Sequence, residues 1–137
     1  MADRTVVITG ASSGIGAALA VLLSARGDRV ALVARREARL REVAERCGSN
    51  AHVIVADVTD RNAVRTVMRE AIRQFGHIDV WVNNAGRGIT RPVSQLTDDD
   101  LDEMMGVNVR SALMFRPGLV QPGKASGRKC GCIASFT

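Results

Sequence analysis

The chain has 137 residues, 46% of them apolar, which suits one compact domain with a real core and excludes a disordered chain. Nineteen Lys and Arg against 14 Asp and Glu give a net charge of +5, a balance that taken whole invites nucleic acid or a membrane surface as partner. No apolar run approaches the roughly 20 residues of a membrane helix, the strand-like start after Met1-Ala2-Asp3-Arg4 is no signal peptide, and three cysteines are too few for a zinc site, so a reduced, cytoplasmic, metal-free protein is expected.

Thr5 to Thr9 is a β-branched run and predicts a buried strand. Gly10 to Gly16 follows as a glycine-rich turn, and Ala17 to Arg26 predicts a helix that Gly27 stops. Val30 to Ala34 predicts a second strand. From Arg36 onward Leu40, Val43, Ala44 and Cys47 keep helical spacing until Gly48. Val53 to Ala56 predicts a third strand. Asp60 is placed to cap a helix in which Val64, Val67, Met68, Ala71, Ile72 and Phe75 hold a 3.6-residue period, ended by Gly76. Ile78 to Val82 predicts a fourth strand. Strand alternating with helix through short loops implies βαβ units and a parallel sheet covered on both faces.

Gly86 to Gln95 reads as a loop. Thr97 then opens a helix, with Asp100 at the capping-box position and Asp98 to Asp100 suited to its positive end. Leu101, Met104, Met105, Asn108 and Ala112 share one face of that helix. After Leu113 the pattern ends. Arg116-Pro117-Gly118 and Gln121-Pro122-Gly123 are breakers, and only Cys132-Ile133-Ala134 reads as strand. Charge divides at the same place. Residues 1–109 carry 14 Arg and 14 acids, whereas Arg110, Arg116, Lys124, Arg128 and Lys129 follow with no acid. The organisation expected is a domain over 1–113 and an irregular basic tail over 114–137. No aromatic interleaves the basic residues, so nucleic acid is not the expected partner.

Thr9-Gly-Ala-Ser-Ser-Gly-Ile-Gly16 places glycines at 10, 14 and 16 between a strand and its helix. Gly10 allows a tight turn, Gly14 lets backbone approach a pyrophosphate, and Gly16 permits close helix–strand packing. The helix then offers its free N–H groups and positive dipole to phosphates, with the hydroxyls of Ser12 and Ser13 beside them.

With Asp57 after the third strand, Asn83-Asn84-Ala85-Gly86 after the fourth and Asn108 in the next helix, this motif resembles the short-chain dehydrogenase/reductase family over residues 5–113. The resemblance implies a Rossmann-like α/β fold, a doubly wound parallel sheet of order 3-2-1-4, present here as its N-terminal half. It implies a cofactor site made of Gly10, Ser12, Ser13, Gly14, Ile15 and Gly16. Asp57 would accept from the adenine amino group beside the Val58 backbone, and Asn84, Ala85 and Gly86 would lie along the ribose. Asn83 would tie neighbouring strands. The end of the second strand selects the cofactor. A carboxylate there favours NAD, but Ala34-Arg35-Arg36 offers two guanidiniums and no acid before Glu37, which favours NADP.

The same resemblance implies hydride transfer between a nicotinamide cofactor and a small carbonyl or alcohol substrate, served by an Asn, a Ser, a Tyr and a Lys. Asn108 matches the Asn, which holds a relay water through its backbone. Ser135, after Cys132-Ile133-Ala134, is the only candidate for the Ser. The sequence contains no Tyr, and no residue matches the Lys. Loss of a general acid commonly lowers the rate by a factor of about 100 to 10,000. The function expected is therefore an NADP-dependent short-chain oxidoreductase, truncated and impaired. The alternative is a non-catalytic NADP-binding remnant. An Arg-rich, Lys-poor composition fits a GC-rich coding sequence whose frame is lost near Met114, with a natural short form or an engineered truncation as alternatives. Full-length relatives are expected to be homo-oligomers, and the far edge of the fourth strand is expected to be exposed and apolar.

Overall fold

The computed structural model of the chain describes residues 3–86, 91–114 and 131–134, the last of these as backbone. Its elements are β1 (Thr5–Thr9), α1 (Gly14–Ala25), β2 (Arg29–Ala34), α2 (Glu37–Cys47), β3 (Ala51–Val55), α3 (Arg61–Phe75), β4 (Val80–Asn83), α4 (Asp98–Met105), α5 (Ser111–Met114) and β5 (Gly131–Ala134). A π-helical turn, Gly106–Arg110, joins α4 to α5.

The sheet is parallel and ordered β3-β2-β1-β4-β5. Its first four strands follow the order 3-2-1-4 read from the sequence. The neighbours of β1 are β2 on one side and β4 on the other, so the direction of winding reverses between β1 and β4. Ligands of open α/β sheets bind at such a switch point, beyond the carboxyl ends of the strands.

Alternation along the strands divides the core in two. Val6 and Ile8 of β1, Val30 and Leu32 of β2 and Val82 of β4 meet Ala17 and Ala20 of α1 and Leu40, Val43 and Cys47 of α2. Val7, Ala31, Val33, Ile54 and Trp81 point the other way, onto Val64, Val67, Met68 and Ala71 of α3 and onto Met114. All five residues of β1 are buried, which explains an unbroken apolar run rather than an alternating one. Asp60 caps α3 by accepting from Asn62 N at 2.9 Å. Gly76 closes the same helix in the left-handed region at φ +86°.

The structure departs from the sequence reading in three places. The far edge of β4 is not exposed: β5 pairs along it, Val80 with Gly131, Trp81 with Cys132, Val82 with Ile133 and Asn83 with Ala134. An unpaired run of strand N–H and C=O groups is a template for a further strand, and Cys132-Ile133-Ala134 supplies one within the stretch read as irregular. The helix after Thr97 is not one α-helix with a buried stripe. Of the expected stripe, Leu101 and Met105 are 58% and 48% exposed, Met104, Asn108 and Ala112 are half-buried, and the buried positions are Ser111 and Met114. The wide π turn takes more residues per turn than an α-helix, so residues at α-helical spacing on either side of it no longer share a face. The Ser111 hydroxyl donates back to the Val107 carbonyl, the kind of bond that bends helices. Finally, α1 begins at Gly14 rather than Ala17, so two of the three glycines lie in its first turn.

Candidate functional site

A cleft of about 560 Å³ lies over the carboxyl ends of β1 to β4. Its walls are the four segments that leave those strands: the turn Gly10–Gly14, Ala34 to Arg36, Ala56 to Thr59, and Asn84 to Gly86. Sequence separations of up to 76 residues are closed here by the parallel sheet, which brings every strand end to one side.

The glycine turn is built by steric demand. Gly10 has φ +66°, and a Cβ on it would stand 2.8 Å from the Ala85 Cα. A Cβ on Gly16 would stand 2.5 Å from both the Asn84 Nδ2 and the Gly10 carbonyl oxygen. The close approach expected at Gly16 is therefore made to the loop after β4 and to the turn itself. Gly14 has φ +57° and nothing within 4 Å of its absent side chain, so its backbone faces open cleft. Ser13 is the N-cap of α1, extended and without a side-chain capping bond. The first N–H groups of α1 are thus left to whatever occupies the cleft. Ile15 follows them, 62% exposed.

One hydroxyl that the sequence reading passed over organises the opposite wall. Thr9 Oγ1 donates to the Val82 carbonyl at 3.2 Å and accepts from the N–H groups of Asn84 and Ala85, each at 3.1 Å. Asn84 Nδ2 donates to the Gly10 carbonyl at 3.2 Å. Asn84 therefore serves the cleft by clamping the glycine turn, and Ala85 and Gly86 present backbone to it. Asn83 turns into the core, where its Oδ1 accepts from Trp81 Nε1 at 2.9 Å. This bond lies within β4, whereas the sequence reading expected Asn83 to tie neighbouring strands. The only signal for Thr9 was its place as the last residue of β1.

The basic end of β2 forms the third wall. Arg35 and Arg36 are exposed and line the cleft, and Arg36 reaches across its mouth to place Nη2 3.5 Å from Ser12 Oγ. Glu37, the first acid after β2, faces away: its Oε1 accepts from Arg41 Nε at 3.0 Å, one turn along α2. On the fourth wall, Asp57 Oδ1 accepts from Thr59 N at 3.0 Å and from Thr59 Oγ1 at 2.7 Å. These hydrogen bonds from the Thr59 hydroxyl and main chain, with Arg35 nearby, hold the Asp57 carboxyl below its ordinary range against a smaller opposing effect of burial. Val58 lies beside it, half-buried and in the wall.

Of the expected site residues, all thirteen placed around the cofactor lie at or beside this cleft. Gly16 alone is inside the packing rather than in the wall. Asn108 sits in the π turn, half-buried, one residue beyond Val107, which reaches the cleft. Ser135 lies outside the described residues.

The cleft suits a dinucleotide by its own features: an uncapped helix start, a glycine with open space before it, two guanidiniums on one rim and an acceptor-only carboxylate on another. Known proteins agree. The sequence profile described as short chain dehydrogenase matches residues 4–128. An uncharacterized oxidoreductase of Staphylococcus epidermidis is 39% identical over 111 residues, covering 81% of this chain and 48% of that protein. One of Staphylococcus aureus is 34% identical over 114 residues, covering 82% and 49%. Among solved structures, a 3-ketoacyl-(acyl-carrier-protein) reductase from Brucella melitensis, complexed with NADH, superposes with a TM-score of 0.82 at 31% identity, covering 87% of this chain and 50% of its own. A short-chain dehydrogenase/reductase variant from Serratia marcescens gives a TM-score of 0.76 at 36% identity, covering 82% and 48%. The chain spans about half the length of the curated relatives it matches.

Proposed function

The chain belongs to the short-chain dehydrogenase family, and on that premise we propose that these residues hold the NADP of an oxidoreductase acting on a small carbonyl or alcohol. The observation that carries the choice of NADP is the rim formed by Arg35 and Arg36, with Glu37 drawn away by Arg41. Two guanidiniums offer forked donors to a 2′-phosphate, and no carboxylate stands in the cleft at the end of β2 to take a ribose 2′-hydroxyl. Gly14, Ser12, Ser13 and the start of α1 would hold the pyrophosphate, Asp57 and Val58 the adenine, and the backbone of Ala85 and Gly86 the ribose. Bound NADPH supplies a hydride. Asn108, beyond Val107, is the residue we place toward the reacting end.

A second reading is NADP binding without turnover, which the cleft would serve as it stands, since its walls are the turns that leave β1 to β4. Titration of NADPH into the chain, followed by its oxidation in the presence of simple aldehydes and ketones, tests both. Saturable binding, tighter for NADPH than for NADH, is the expected result, and the rate of NADPH oxidation separates the two readings. NADH bound as tightly as NADPH would refute the assignment of the cofactor. Oxidation at full rate would refute the second reading.

A further inference from the structure

We propose that Thr59 is a positioning residue for the recognition of adenine, acting through Asp57; the proposal rests on the NADP reading above. The main-chain N–H and the hydroxyl of Thr59 both donate to Oδ1 of Asp57, at 3.0 and 2.7 Å. Both residues line the cleft. One carboxylate oxygen is thereby taken by two donors from the chain. Among the described residues the bonds to this carboxylate all end on Oδ1, so Oδ2 is the oxygen left for a donor in the cleft. A carboxylate that could turn about its terminal torsion would present either oxygen in a broad range of directions. The Thr59 pair fixes that torsion and so converts a mobile charge into an oriented acceptor. Such an acceptor matches the exocyclic amine of adenine and repels the oxo group that hypoxanthine carries in its place.

The charged groups around Asp57 do not offer an alternative anchor. Arg35, from the end of β2, acts on it through space and makes no bond to it. Asp60, three residues on, spends its own carboxylate on the cap of α3. Val55 and Ala56, which precede it, and Val58 and Thr59, which follow, carry no charge. Thr59 also keeps the carboxylate ionised to lower pH. Stability of the charged, acceptor-only form is present above the depressed value and is lost as pH falls through it.

The test compares NADPH with its hypoxanthine analogue, by direct titration into the parent chain and into Thr59→Val and Thr59→Ser. The parent is expected to favour the adenine form by about ten-fold or more, the worth of a hydrogen bond to a charged group. Thr59→Val, which keeps the N–H but loses the hydroxyl, is expected to cut that preference by about three-fold or more. Its affinity for the analogue should not fall, since a freed carboxylate repels the oxo group less, and its preference should fade at higher pH than the parent's. Thr59→Ser is expected to retain the parent's preference. Equal loss of affinity for both forms in Thr59→Val would show a merely structural role and overturn the assignment. So would equal affinities in the parent, or a Thr59→Ser variant without preference; these two hold whether or not Thr59→Val folds. Failure of the parent to bind NADPH would overturn the NADP reading itself, a distinct outcome.

Discussion

Gly16 tolerates no side chain because two fixed polar atoms stand where its Cβ would go: Asn84 Nδ2 and the Gly10 carbonyl, both at 2.5 Å. The carbonyl is backbone, and the amide, though the end of a side chain, is tethered. Asn84 is held through its own bond to Gly10, and Gly10 by the turn. Gly16→Ala is therefore expected to destabilise the fold by about 1–3 kcal/mol, as overpacking does, and to open the cleft. Urea denaturation and NADPH titration would show both losses together. Gly14→Ala meets no atom and should weaken the protein only by the strain of φ +57°, about 1 kcal/mol. The rim makes a different prediction. Arg36→Glu places a carboxylate where a 2′-phosphate is expected, so NADPH should bind about 10–100-fold more weakly while NADH does not. Comparative titration of the two nucleotides checks it. At this scale the motif glycines, Asp57 and the arginines were legible because local spacing alone identifies them. Thr9 was not, since its three bonds reach residues more than 70 positions away.

At the scale of elements, strands and caps were read well and the last helix poorly. The box predicted at Thr97 is formed: Thr97 Oγ1 accepts from Asp100 N at 3.2 Å, and Asp100 Oδ2 accepts from Thr97 N at 3.0 Å. Yet α4 buries none of its residues. Its persistence then depends on its cap and its first-turn acids more than on packing. Thr97→Ala should lower the local stability of α4 by about 1 kcal/mol and speed amide exchange there. The midpoint of global unfolding and the affinity for NADPH should stay unchanged. The period through Leu101, Met104, Met105, Asn108 and Ala112 misled because periodicity states that residues share a face only while the helix stays regular. Nothing in Gly106–Arg110 announces a π turn by composition. The event that bears on it, the Ser111 hydroxyl meeting the Val107 carbonyl, is one that any helical serine can make or decline.

For the whole molecule, the sheet's order puts a requirement on β5. Without it β4, whose residues Trp81 to Asn83 are buried, would present an unpaired edge. A chain ending at residue 130 is expected to melt at lower temperature and to self-associate in proportion to concentration. Scanning calorimetry with light scattering would detect both, and an unchanged monomeric melt would show that β5 does not stabilise the sheet. Among the described residues no helix is long and apolar enough to cross a membrane. The net charge of +5 also resolves spatially. Strands β1 to β4 and the walls of the cleft belong to the charge-balanced stretch 1–109, and the excess lies beyond it.

The sequence by itself determined the alternation of strand and helix, the strand order of the first four strands, the glycine turn, and the rim of arginines. The strand order came with the family resemblance; the others follow from periodicity, turn chemistry or a motif of eight residues, all of them local. Only the tertiary structure decided that Thr9 receives the N–H groups of Asn84 and Ala85, that Asn84 braces the glycine turn, and that β5 covers β4. It also decided that the apolar stripe of α4 stays largely in solvent. The physical reason is common to all four: a hydroxyl, an amide, a strand edge or a helix face has many possible partners within reach of its chemistry. Which partner it takes depends on positions that only the closed sheet and its packed helices bring together.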